Sequence, residues 1–182
     1  MNTERWEIDS SHSGIHFSVR HLVIAKVRGQ FSRWSGTLVA PDGDLSRAAV
    51  DVVIDASSID TGVADRDAHL KSADFFDTAQ FPEITFKTTG VEWVSDERLR
   101  ARGVLTIKGI TRDAVLDVDR LGAVKDPWGN ERAAFAAKTS VDRRDFGLTW
   151  NQALETGGFV VGDRIDIEIE VEAVKQAAAQ VA

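Results

Sequence analysis

The stretch "RIDIEIEVEAV", residues 164–174, constrains the fold more than any other part of the chain. Ile165, Ile167, Ile169 and Val171 alternate with Asp166, Glu168, Glu170 and Glu172. A period of two puts every apolar side chain on one face of a β-strand and every carboxylate on the other. A helix would scatter both sets around its axis. The strand therefore has one dry face and one wet face, which a parallel sheet buried on both sides does not tolerate.

The same alternation recurs upstream. Ile15, Phe17 and Val19 carry it near the start, followed by Val50, Val52 and Ile54, then Ile84 and Phe86. Leu99, Leu105 and Ile107 come next with Gly103 between them, then Leu116 and Val118. Turn signals separate these runs, among them Pro41-Asp42-Gly43-Asp44, Lys108-Gly109 and Trp128-Gly129-Asn130. Counting all such segments gives about eight strands, the pattern of an all-β antiparallel barrel or sandwich.

Only "DTGVADRDAHLKSADFFD" reads as helical. It predicts a helix over 64–71 opened by Asp60, Thr61 and Gly62, and a further helical turn over 72–76 capped by Ser72. Phe75, Phe76 and Phe81 are too apolar for free solvent, so this segment is expected to cover one end of the barrel. The tail "KQAAAQVA" predicts a frayed or flexible end after a single domain spanning 1–175.

Composition narrows the function classes. The 182 residues include no cysteine, which removes thiolate nucleophiles, thiolate metal sites and disulfides. The formal net charge is −7 with scattered basic residues, which argues against a nucleic-acid partner. No stretch approaches the apolar length of a transmembrane helix. The opening "MNTERWEIDS" carries charges of both signs and no apolar run, so the chain as given points to the cytoplasm, or to the periplasm or exterior if it is a processed form.

Three of the four histidines fall in "HSGIHFSVRHL". If His12 and His16 share a strand they sit about 13 Å apart, at ~3.3 Å per residue. They cannot then share a zinc ion, and no metal site is expected. His21 has the opposite parity. "RDAHL" brings Asp65 or Asp67 close to His69, the raw material of general-base chemistry or an ordinary helix contact. In "SVDRRDFGLTWN", strand alternation would place Arg143 and Asp145 on one face, as an ion pair or as a polar rim for a ligand head group.

Taken in order, "HSGIHFSVRHL", "VRGQFSRWSGTL", "IDASSIDTGVADRDAHLKSADFFD", "FPEITF", "GVLTIKGITRDAVL", "DRRDFGLTWN" and "ETGGFVVGDRIDIEIEVEA" resemble the successive signature segments of the YceI-like family. The resemblance runs from about Trp6 to Ala173. It implies an eight-stranded antiparallel lipocalin-like barrel with a short helical segment near one end, enclosing a pore for a long-chain isoprenoid such as a quinone or polyprenyl compound, or for another long-chain amphiphilic lipid. It also implies a homodimer and no cofactor beyond the bound lipid. Many relatives carry a secretion signal, a feature not read in this chain.

An eight-stranded barrel either fills with side chains or holds one small ligand. Gly29, Gly103, Ala134 and Ala136 are expected to leave room beside the aromatic residues and so favour a tunnel. Its expected lining is Ile15, Phe17, Val19, Phe31, Leu38, Phe75, Phe76, Phe86, Leu105, Ile107 and Phe146. Head-group candidates at the mouth are His12, Arg20, His69, Arg143, Asp145 and Asn151. Two alternatives stand beside the lipid carrier: an enzyme using the tunnel as a channel with an Asp/His acid-base pair, and a dimeric interaction module with a packed barrel.

Overall fold

In the computed structural model, which describes residues 2–177, the C-terminal alternation becomes β11 (Val161–Lys175), with Ile165, Ile167, Ile169 and Val171 facing an enclosed lumen. The remaining strand segments are β1 (Thr3–Ile8), β2 (Gly14–His21), β3 (Ala25–Phe31), β4 (Trp34–Pro41), β5 (Ala49–Asp55), β6 (Ile59–Asp60), β7 (Glu83–Ser95), β8 (Arg98–Ile107), β9 (Ile110–Lys125) and β10 (Glu131–Asp142). One helix, α1 (Ala64–Lys71), precedes β7. Part of the expected C-terminal tail, residues 178–182, lies outside the described residues.

These segments assemble as eight strands. β11 pairs with β1 through Trp6↔Lys175 and Ile8↔Ala173, and with β2 through Ile15↔Ile169 and Val19↔Ile165, so β1 and β2 are two halves of one strand broken at 9–13. β4 and β3 are likewise paired with β1 and β2 in turn, and β5 and β6 with β4 and β3. From β7 onward each strand pairs with the next, and the β1–β11 pairing closes an eight-stranded antiparallel barrel. Closure leaves no long free edge, the liability of an open sheet. β1 is absent from the sequence expectation, although Trp6 and Ile8 already show the alternation.

An up-and-down barrel places alternate connections at opposite ends. Residues 22–24, 61–82, 108–109 and 143–160 lie at the end with α1, and 42–48, 96–97 and 126–130 at the other. Buried residues concentrate near α1, where Ile59, Phe75, Ile84, Ile107, Phe146 and Leu148 pack together. Toward the other end Leu38, Val91, Val118, Phe135 and Val171 also point inward yet are only partly buried. The barrel is plugged at one end and hollow beyond it.

The helical segment departs from expectation in two details. α1 starts after Val63, which offers no side-chain cap; instead the Asp67 carboxylate reaches back to accept from the Thr61 amide at 2.9 Å and the Thr61 hydroxyl at 2.5 Å. Residues 72–76 form turns rather than helix. The Ser72 hydroxyl donates to the His69 carbonyl at 2.6 Å, which ends α1, and Asp77 with φ 48° turns the chain away.

Candidate functional site: an apolar lumen

The lumen is a cavity of about 290 Å³. It extends from Leu70 and Phe76 beneath α1 to Leu45 and Ala48 at the opposite end. Every strand contributes by the same alternation, for example Val50, Val52 and Ile54 from β5 and Leu99, Ala101 and Leu105 from β8. Ile15, Phe17, Val19, Phe31, Leu38, Phe75, Phe76, Phe86, Leu105 and Ile107 all line it.

Phe146 does not. The chain at Arg143–Phe146 is a 3-10 turn and Gly147 has φ 71°, so the strand parity that would have aimed Phe146 inward is lost. Its ring is 2 % exposed and packs as core outside the lumen. Ala134 and Ala136 also face outward, because Phe135, Ala137 and Thr139 are the inward residues of β10.

Gly29 and Gly103 serve the cavity differently from expectation. A Cβ on Gly29 would stand 2.4 Å from Cζ of Phe17, and one on Gly103 would stand 2.5 Å from Cζ of Phe86. The missing side chains let each ring lie against the wall rather than project into the lumen. The space is spent on the aromatics, and the cavity benefits indirectly.

Three lining residues carry polar groups: Thr88, Thr139 and Arg143. The Thr88 hydroxyl accepts from the Val50 amide at 2.8 Å, and the Thr139 hydroxyl donates to the Val115 carbonyl at 2.8 Å. Arg143 is 3 % exposed. Its Nε donates to the Gly162 carbonyl at 2.8 Å, Nη1 to the Leu148 and Trp150 carbonyls at 2.6 and 2.9 Å, and Nη2 to the Val161 carbonyl and Asp163 at 3.4 and 3.3 Å. A guanidinium has five N–H donors and all are committed. Burial pulls its pKa below the ordinary arginine value, and Asp163 opposes that shift. Arg143 thus fastens the 147–160 connection to the start of β11 and has no donor left for a ligand, contrary to its expected head-group role.

The other head-group candidates lie outside the lumen. His12 sits in the 9–13 break rather than on a strand, with Nδ1 2.9 Å from Asp9. Arg20 follows inward Val19 and therefore points to solvent. Asp145 is exposed on the 3-10 turn, and the expected Arg143–Asp145 pair is replaced by Arg143–Asp163. Asn151 braces its own loop, donating to the Val161 carbonyl at 2.7 Å and accepting from the Val161 amide at 3.0 Å. His69 pairs with Asp74 at 2.8 Å, not with Asp65 or Asp67, and its ring stands edge-on to Phe75 and Trp150. The turn at 72–76 supplies that aspartate, which spacing along a continuous helix does not reveal.

Among the described residues, Asp9, His12 and Glu172 bring possible metal-ligand atoms within 4.8 Å of one another. Arg132 already occupies the cluster, with Nη1 3.1 Å from Asp9 and 2.5 Å from Glu172. A guanidinium between the carboxylates leaves that position to an ion network rather than a cation. No helix among the described residues is long and apolar enough to cross a membrane.

Fold and cavity together define a closed antiparallel barrel built around an apolar lumen, in which each polar lining side chain among the described residues holds an internal hydrogen bond. The chain belongs to the YceI-like family, whose domain matches residues 6–173. Similar curated proteins include a UPF0312 protein of Vibrio cholerae, 33% identical over 177 residues covering 96% of this chain and 89% of the relative. Another, from Staphylococcus aureus, is 36% identical over 165 residues, 90% and 94% of the two chains. Among solved structures, the YCEI protein of Campylobacter jejuni superposes with a TM-score of 0.74 at 31% identity, covering 87% of this chain and 90% of that one. A polyisoprenoid binding domain from Saccharophagus degradans superposes with a TM-score of 0.68 at 16% identity over 94% and 98%, a likeness of fold.

Proposed function

We propose that this protein binds and carries a long-chain isoprenoid lipid, a polyprenyl compound or a quinone, with its chain in the lumen. The observation that carries the reading is an apolar lining in which each of the few polar side chains already holds an internal hydrogen bond, so that an apolar guest gains most from entering. The solved polyisoprenoid-binding barrel of the same fold supports it. Each buried methylene-sized group contributes about 0.8 kcal/mol. Ten to twenty such carbons would supply roughly 8 to 16 kcal/mol before ordering costs are subtracted.

The proposed role is non-catalytic and needs no resident cofactor. The Asp–His pair at the α1 end, His69–Asp74, hydrogen-bonds across a surface turn and lies outside the lumen. A homodimer in the cytoplasm completes the proposal, the first checked by sedimentation velocity and the second by cell fractionation.

Organic extraction of protein purified from a bacterium with its own isoprenoids, followed by mass spectrometry against an equally purified control, tests the reading. A near-stoichiometric polyprenyl or quinone species is expected. An extract that stays clean after incubation with quinones and polyprenyl phosphates would reject it.

A further inference from the structure

The β2–β3 hairpin ends in Leu22, Val23 and Ile24, exposed by 37, 63 and 85%. Leu22 and Val23 both have positive φ, 53° and 66°. Hairpin tips normally give that conformation to Asn and Gly, and a β-branched residue held there is strained. Here the tip is instead three apolar residues in a row. Phe159, 58% exposed, belongs to the neighbouring connection: the Leu22 amide donates to the Val160 carbonyl at 3.0 Å, and Val23 packs beside Gly158. Val19, three residues before the tip, lines the lumen.

We propose that this tip docks the protein on an anionic lipid bilayer, with Leu22, Val23, Ile24 and Phe159 entering the interface. Charge selects the occupant. Arg20 and Lys26 face one another across the hairpin just behind the tip, both exposed, and among the described residues neither lies within ion-pair distance of a carboxylate. In a chain of net charge −7 this is a local basic collar around an apolar point, the pattern that binds anionic lipid surfaces. The opposite end of the barrel also exposes apolar side chains, Trp93, Leu121, Val124 and Trp128. Its connections carry Asp42, Asp44, Asp96, Glu97 and Asp126 against a single base, Arg47, whereas the connections at the α1 end offset Asp65, Asp67, Asp74, Asp77, Asp145 and Glu155 with Arg66, Lys71, Lys108, Arg143 and Arg144, so an anionic surface is repelled more by the far end. Docking through 22–24 goes beyond the carrier reading and does not depend on what fills the lumen.

Flotation of the purified full chain with phosphatidylcholine vesicles, with and without phosphatidylglycerol, tests the docking. Wild type is expected to float with the anionic vesicles and to be released by salt. L22N/V23G places residues suited to positive φ at the tip, so it should melt no lower than wild type yet lose roughly tenfold or more in vesicle partitioning. R20Q/K26Q should weaken binding to anionic vesicles by roughly 30-fold. Equal flotation of wild type and L22N/V23G, or no flotation of wild type, would overturn the proposal. So would a wild-type dimer that L22N/V23G converts to monomer, because a second copy would then be the occupant. An empty organic extract would sink the carrier reading and leave this one standing.

Discussion

At the scale of single residues, two glycines decide how much room the aromatics leave. On Gly103 a Cβ would meet the Lys87 carbonyl oxygen at 2.5 Å as well as the Phe86 ring, and backbone cannot swing aside. Gly103→Ala is therefore expected to cost about 1 to 3 kcal/mol, read as a lower melting temperature. On Gly29 the contacts within 3 Å are all Phe17 ring atoms, and a ring can rotate. Gly29→Ala should fold with a smaller loss but drive that ring into the lumen, shortening or expelling a bound chain, which native mass spectrometry of loaded protein would show. Unchanged loading in Gly29→Ala would mean that Phe17 does not limit the cavity. The inward positions were legible in the sequence because parity alone assigns them. The flattening of Phe17 and Phe86 onto glycines was not, since it depends on pairing register: Phe17 stands opposite Gly29, while Phe86 leans diagonally from its place opposite Leu105.

At the scale of elements, the 147–160 part of the connection between β10 and β11 hangs on one side chain. From the 3-10 turn after β10, Arg143 ties the Leu148 and Trp150 carbonyls of the connection to the Val161 and Gly162 carbonyls and Asp163 at the start of β11. Arg143→Ala would leave those groups without partners in a buried site, at a cost of about 3 to 5 kcal/mol. Lysine, with three donors on one atom, cannot span them, so Arg143→Lys should rescue little. Limited proteolysis should cut both variants within 147–160 faster than wild type, and equal cutting rates would refute the clamp. The strands of this region were readable from their alternation. The clamp was not, because strand parity extended through "DRRDFGLTW" assigns Arg143 and Phe146 to faces they would occupy only if the chain stayed extended. The break at 9–13 takes His12 off the strand on which sequence reasoning sets it, for the same reason. Where the period of two stops, the face of a residue ceases to be readable.

At the scale of the whole molecule, stability against acid follows from carboxylates held ionised by their neighbours. Arg132 sits where β10, β11 and the 9–13 break meet, bonded to Asp126 at 2.9 Å, Asp9 at 3.1 Å and Glu172. It therefore joins the barrel closure to the β9–β10 connection. Its guanidinium is the main cause holding the Asp126 carboxyl well below the ordinary range. The Ser11 hydroxyl and His12 do the same for Asp9, with Arg132 adding to them. Arg144 lowers Asp142 to about 2. An unfolded aspartate titrates near 3.9, so each of these groups binds its proton more readily in the unfolded chain, and their stabilisation is complete above about pH 5. It is lost as pH falls from about 4 toward 2, through the depressed native values. The melting temperature is accordingly expected to be flat from pH 7 to 5 and to fall steeply below 4. Arg132→Gln removes the partner that Asp126 and Asp9 share, so its melting temperature should be lower at pH 7 and its decline below pH 4 shallower. Arg164→Gln, which breaks only the exposed pair with Asp166, should leave the acid limb unchanged. If the Arg132→Gln and wild-type curves stay parallel from pH 7 to 2, the acid sensitivity arises elsewhere and the Arg132 network does not link barrel closure to pH.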